Sequence, residues 1–225
     1  MGDGALWRIP ERKKVEAVFF DVDGTLTDAQ GRIPDRTVSV LEYMAKRLPL
    51  YLSTALPVSH AKKRLGNVFG LFSGGVFADG GLVCYGETIE CVPIAYPMTA
   101  GFPGCRVTRY TREGKVFKYA VLAPNTREAV RWLTELDEEA YQLYQEGRLL
   151  TVVDSKASKK NGLITLCARL GISLREVLVV GNTMHDWPMM SVAGYSCAVM
   201  DAEEKLRKLS GYVLNPDSIP VFFDI

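Results

Sequence analysis

Val18-Phe19-Phe20-Asp21-Val22-Asp23-Gly24-Thr25-Leu26-Thr27 is the stretch on which the reading of this chain turns. The apolar run from Val15 to Phe20, with one charge in it, reads as a buried strand. It ends on two carboxylates at i and i+2, followed at once by Gly-Thr. A continued strand would put Asp21 and Asp23 on one face, but Gly24 suggests that the chain turns there. Two acids at the carboxyl end of a buried strand are costly unless something positive sits between them. Mg²⁺, a hard cation that takes oxygen ligands, is the obvious candidate.

The composition sets the bounds. A length of 225 residues allows one large domain or a domain plus a small second one. With 48% hydrophobic and 24% charged residues the chain has the balance of a soluble globular protein. Its net charge of +1 gives no global field for nucleic acid or a membrane surface. No nucleic-acid or membrane partner is expected, and the expected state is a monomer or homodimer. Cys84, Cys91, Cys105, Cys167 and Cys197 are scattered without a C-x-x-C pair, which favours free thiols in a reducing compartment. No apolar run approaches the roughly 20 residues of a membrane span. Met1 to Lys14 is polar, unlike a signal peptide. A cytoplasmic location is the expectation.

Outward from the opening stretch, Val38, Leu41, Met44 and Leu48 space an amphipathic helix that ends before Pro49. Leu50-Tyr51-Leu52 is a short buried strand ending on Ser53-Thr54. A helix over Val58–Leu65 and a strand at Val76-Phe77-Ala78 follow, the pattern of a doubly wound parallel sheet. From Leu82 to Val153 the pattern changes. Hairpins are expected over Leu82–Val92 and around Glu113-Gly114, with a Pro/Gly-rich loop at Tyr96–Gly104. Asn125 opens a capped helix to about Leu136, more helix is expected over Glu138–Gln145, and Leu149–Val153 is a strand. This reads as an α+β insert, residues 82–153, within a core of residues 1–81 and 154–225. The core resumes with a helix at Leu163–Leu170 closed by Gly171. The fully buried strand Val177–Val180 runs into Gly181-Asn182-Thr183-Met184-His185-Asp186. Ser196–Met200, Glu203–Leu209 and Tyr212–Leu214 complete it as strand, helix and strand. Arg106, Arg109, Arg112, Lys115 and Lys118 read first as the solvated face of a hairpin, and only second as a grip on an anion.

Several strands thus end on polar residues, and in open α/β sheets the ligand site lies beyond the carboxyl ends of the strands. An aspartate can attack phosphorus if the phosphoryl charge is neutralised and the geometry is held in line. Mg²⁺ supplies the largest share of that neutralisation. A hydroxyl from Ser53 or Thr54 can hold a phosphate oxygen. A lysine from Ser158-Lys159-Lys160 can act as a point charge.

With these residues the chain resembles the haloacid dehalogenase superfamily of phosphohydrolases, in the Cof-like branch with a C2-type cap inserted between the second and third motifs. The first motif, D-x-D-G-T, is intact as Asp21-Val22-Asp23-Gly24-Thr25. The resemblance implies a Rossmann-like core with an inserted cap and Mg²⁺ as cofactor. It also implies Asp21 as the nucleophile that forms an aspartyl-phosphate. Asp23 would be the general acid and then base, with its backbone carbonyl on the metal. Thr54 matches the second motif, with Ser53 as fallback, and Lys159 the third, with Lys160 as alternative. The implied phosphate-binding set is Thr54, Ser53, Gly24, Thr25 and Asn182, and the implied metal set Asp21, Asp23, Asn182 and Asp186.

Two motifs depart from the pattern. Thr54-Ala55-Leu56-Pro57 stands where relatives often have T-G-R-P, and Gly181-Asn182-Thr183-Met184-His185-Asp186 where they commonly have G-D-x-x-N-D. Asn182 is read either as an uncharged metal ligand, which should lower metal affinity, or as a turn former. Asp186 could bind a metal-bound water or steady the lysine, and His185 reads as a hydrogen-bonded neighbour. The expected function is Mg²⁺-dependent hydrolysis of a small phosphorylated metabolite, of sugar phosphate or phosphoglycolate type. The alternatives are a phosphomutase of the phosphomannomutase type and an impaired binding protein that kept the fold.

Overall fold

A computed structural model describes residues 14–95 and 102–225. The expected polar start, up to residue 13, and residues 96–101 of the expected loop lie outside the described residues. Four consecutive apolar residues, buried on both faces, make β1 (Ala17–Phe20) a central strand. Helix α1 (Asp35–Ala45) buries Thr37, Leu41 and Met44, one stripe at helical spacing. It leads to β2 (Leu50–Ser53), and α2 (Val58–Leu65) leads on to β3 (Gly74–Phe77). A turn with both Ala78 and Asp79 in the left-handed region (φ 53° and 56°) then feeds the hairpin β4 (Leu82–Tyr85) and β5 (Thr88–Cys91). Next come β6 (Arg106–Arg112), β7 (Lys115–Leu122), α3 (Thr126–Glu135), β8 (Tyr141–Glu146) and β9 (Leu149–Asp154). The chain returns through α4 (Lys159–Leu170), β10 (Val177–Gly181), α5 (Trp187–Met190), β11 (Tyr195–Ala198), α6 (Glu204–Leu209), β12 (Tyr212–Val213) and α7 (Ile219–Phe223).

The main sheet has the order β12-β11-β10-β1-β2-β3-β4-β5. It is parallel from β12 to β3 and antiparallel at β4 and β5. Connections run one way from β1 to β2 and β3, and the other way from β10 to β11 and β12. The strand order therefore reverses between β1 and β10, where a crevice opens at the carboxyl ends. Phe20 pairs with both Leu52 and Val180, so these three strands end level with one another.

A second, antiparallel sheet has the order β6-β7-β9-β8. Side-chain alternation splits it into two faces. Tyr119, Val121, Leu150 and Val152 pack with Phe102 and Trp132 in a small core of their own. Lys118, Ala120 and Thr151 face the opposite way, towards the main sheet. Phe117 joins the main core.

Two expectations change. The Leu82–Cys91 hairpin, expected within the insert, is bonded to the edge of the main sheet through β3. The helix expected over Glu138–Gln145 is the strand β8, paired with β9 across Gly147. Tyr141 and Leu143 alternate into the small core there, which a helix could not achieve with that spacing. Asn125 caps α3 as expected, accepting a hydrogen bond from the Glu128 N–H at 2.9 Å.

Candidate active site

Three strand ends and one helix start build the site. Asp21 follows β1 directly, its N–H donating to the Val180 carbonyl at 3.0 Å. Lys159 opens α4, whose N-cap Ser158 accepts from the Asn161 N–H at 3.0 Å. Gly80 lets this helix start approach closely. With φ 91°, a Cβ there would lie 2.3 to 2.6 Å from Ser158 backbone atoms. The Lys159 Nζ donates to Asp21 Oδ1 and Asp186 Oδ1, both at 2.7 Å, and all three side chains are buried. Lys159, not Lys160, makes these ion pairs. Asp186 Oδ2 accepts from the N–H groups of Asn182 (3.0 Å) and Thr183 (3.2 Å). Asp186 thus holds both the lysine and the loop after β10.

Two carboxylates share one ammonium here, so full ionisation leaves a net charge of −1. Burial pushes the Asp21 pKa up to about 7, with Lys159 pulling it down and Asp186 pushing it further up. Burial also works against the Lys159 charge, but Asp186 and Asp21 outweigh it and hold the lysine above its ordinary pKa. Mutual attraction alone would lower Asp21. The upward direction is the physical one, because a single ammonium cannot neutralise two buried acids.

Among the described residues no three His, Cys, Asp or Glu side chains are grouped to hold a metal ion. Asn182, an amide just after β10, brings an oxygen without a charge. Its Oδ1 and Asp21 Oδ2 both lie 3.2 Å from the Thr25 Oγ. Oxygen donors beside an excess negative charge fit a hard cation such as Mg²⁺.

The remaining expected residues divide. Thr54 is buried at the wall of this cavity of about 430 Å³, together with Asp21, Asp23, Lys159 and Asn182. Its Oγ accepts the Leu56 N–H at 3.1 Å and so keeps its own proton to donate. Ser53 is fully buried, its Oγ without a partner, and does not line the cavity. Gly24 and Thr25 border a different cavity, with Thr37 and Asp217. Thr25 braces Asp21 and Asn182 rather than facing the 430 Å³ cavity. Asp23 is half-exposed, with Arg64 Nη1 3.5 Å from its Oδ1.

Asp23 also borders a second cavity of about 250 Å³ between the two sheets. Sequence reasoning missed what lies there. Lys118, expected on a solvated face, is buried. Its Nζ donates to Asp79 Oδ2 at 3.0 Å and to the Ala55 carbonyl at 2.7 Å. The imidazole of His185 lies against the Tyr144 ring, centroids 4.1 Å apart, and burial lowers its pKa. Asp79 had a findable signal: it follows a parallel strand at the same edge as Asp21 and Ser53, and its N–H donates to the Thr54 carbonyl at 3.2 Å.

The chain is similar to several known proteins. The haloacid dehalogenase-like hydrolase family matches residues 114–218. A phosphoglycolate phosphatase of Methanothermobacter thermautotrophicus is 26% identical over 211 residues, spanning 88% of this chain and 91% of the relative. Another, of Archaeoglobus fulgidus, is 25% identical over 214 residues, spanning 91% and 92%. A solved haloacid dehalogenase subclass IIB sugar phosphatase superposes with TM-score 0.77 at 18% identity, covering 93% of this chain and 99% of its own. A solved Thermoplasma acidophilum protein gives 0.78 at 16%, covering 94% and 99%. Over residues 114–218, then, the chain is similar to the haloacid dehalogenase-like hydrolases, and its fold is that of the superposed structures. Both of these relatives by sequence are named as phosphatases. Among the described residues no helix is long and apolar enough to cross a membrane.

Proposed function

We propose that the chain hydrolyses a phosphate monoester of a small metabolite through an aspartyl-phosphate on Asp21. The observation that carries this reading is the Lys159 ammonium held 2.7 Å from both Asp21 and Asp186 at the point where the strand order reverses. Asp23 stands beside it, between two cavities. Asp21 attacks phosphorus as the bond to the leaving oxygen breaks. Asp23, half-exposed and facing the second cavity, gives that oxygen its proton. It then takes a proton from the water that attacks the aspartyl-phosphate, and Asp21 is regenerated. Lys159 orients the Asp21 carboxylate and offsets phosphoryl charge. The Thr54 hydroxyl donates to a phosphoryl oxygen. Asp21, the Asp23 carbonyl and Asn182 would hold Mg²⁺, with Asp186 behind Lys159. When bound, the cation neutralises phosphoryl charge. The second sheet, as a cap formed by residues of the insert, excludes water from the crevice.

The test is phosphate release from p-nitrophenyl phosphate and a panel of sugar phosphates, with Mg²⁺ and with EDTA, beside Asp21→Asn. Metal-dependent release that is lost in the variant is expected. Isomerisation without net release would indicate a mutase, and binding without any turnover would sink the enzymatic reading.

A further inference from the structure

The 250 Å³ cavity beyond Asp23 is where a leaving group would sit, and its charges are unusual for one that takes an anion. Its lysine, Lys118, is already neutralised, because Asp79 Oδ2 lies 3.0 Å from Nζ and both side chains are buried. Arg64, on the wall of an adjoining cavity with Leu56 and His60, sits beside Asp23 at 3.5 Å. Glu146 adds a further carboxylate at the rim. Two histidines, His60 and His185, complete the ionisable wall. Among the described lining residues Lys118 is the one Lys or Arg, and its charge is held by a carboxylate.

The wall also offers an unmet acceptor. Asp79 is fully buried, and its Oδ1 has no hydrogen-bond partner. It lies 3.5 Å from His185 Nε2, which also has none. A hydroxyl can donate to the carboxylate oxygen and accept from an imidazole N–H, whereas a second carboxylate can do only the latter. Sites built to bond a substrate hydroxyl discriminate strongly, because the unpaired alternative is costly.

We propose that Asp79 is a specificity-determining residue: by cancelling Lys118 and presenting an open acceptor, it selects esters with a neutral, hydroxylated leaving group over esters that carry a carboxylate. This rests on the phosphatase reading above, and it separates the chain from the phosphoglycolate phosphatases it is similar to. The test is kcat/KM of the full chain with Mg²⁺ at pH 8, for glycerol 3-phosphate and for phosphoglycolate, with p-nitrophenyl phosphate as the common reporter. A ratio favouring glycerol 3-phosphate by about tenfold or more is expected. Asp79→Asn keeps the shape and tolerates the left-handed backbone. It leaves the Lys118 charge uncancelled and should lower that ratio about tenfold, mainly through KM for phosphoglycolate. A wild-type ratio at or below one, or a folded Asp79→Asn with an unmoved ratio, overturns the inference. If Asp79→Asn does not fold, Glu146→Gln at the exposed rim takes its place, with a smaller shift in the same direction expected and an unmoved ratio again overturning it. Release from p-nitrophenyl phosphate with phosphoglycolate preferred sinks this inference alone. No release from any ester sinks the phosphatase reading and this with it.

Discussion

Lys159→Met tests the charge arrangement most directly. The ammonium is 4% exposed and sits 2.7 Å from two carboxylates. Methionine keeps much of the apolar stem but removes the cation, so Asp21 and Asp186 are left buried together. Breaking a buried pair costs about 3–5 kcal/mol. Because this lysine serves two acids, the upper half of that range is expected at pH 8. The loss should depend on pH. Asp21 already has its pKa pushed up to about 7 by burial, with Lys159 holding it down and Asp186 pushing it up. Removing the lysine raises it further above the unfolded value of about 3.9. A carboxyl whose folded pKa is raised binds its proton more tightly folded than unfolded. The penalty is therefore full above the folded pKa and fades as pH falls towards the unfolded one. Urea unfolding of metal-free protein at pH 8 and pH 5 measures both quantities. The destabilisation at pH 8 should shrink by at least about 1 kcal/mol at pH 5, and phosphatase turnover should be lost. A loss below about 1 kcal/mol at pH 8, or one equal at both pH values, would refute the reasoning.

Three further outcomes are expected. In the metal-free wild type, the raised Asp21 pKa should make stability fall as pH rises from about 4 towards about 7. Saturating Mg²⁺ should flatten that slope, as thermal unfolding across pH would record. Asn182→Asp should tighten Mg²⁺ about tenfold by adding a charged oxygen ligand, read by calorimetry. Unchanged or weaker affinity would mean that residue 182 is not a ligand. Gly80→Ala should destabilise by roughly 2–4 kcal/mol, combining the left-handed backbone with overpacking. Its Cβ would meet Ser158 at 2.3 Å, so α4 must shift and turnover should fall with stability.

Much of this was legible in the sequence because the information is local. β1 and β10 are short apolar runs stopped by polar residues, and the rule that ligands sit beyond parallel strand ends gathers Asp21, Thr54 and Asn182 without coordinates. Lys159, at a helix start, is set apart from a surface lysine only by its order in the motif series. What was not legible depends on pairing between distant segments. Nothing within Leu82–Cys91 says that its partner is Gly74–Phe77, so the hairpin was assigned to the insert. Tyr141-Gln142-Leu143-Tyr144 satisfies either period over so short a run, and β9 decides for the strand. Lys118 looked like one charge of a surface stripe. Its inward position follows from alternation with Tyr119 and Val121, once those two are known to fill the small core.

The two buried lysines make the electrical logic of the crevice plain. Lys159 serves two acids, so this buried trio is one positive charge short, and a protein can keep such a deficit only with a bound proton or a cation. Burial and Asp186 raise the Asp21 pKa, and the proton it then keeps offsets the excess charge. A cation would displace it and leave Asp21 ionised, as a nucleophile must be. Lys118 serves one acid, so that pair is balanced and has no positive charge to offer a carboxylate. On the proposed reading this difference of one carboxylate divides the labour. The phosphoryl group goes where charge is missing, and the neutral leaving group goes where it is balanced. Asp23, bordering both cavities, is the acid at the boundary that a proton must cross.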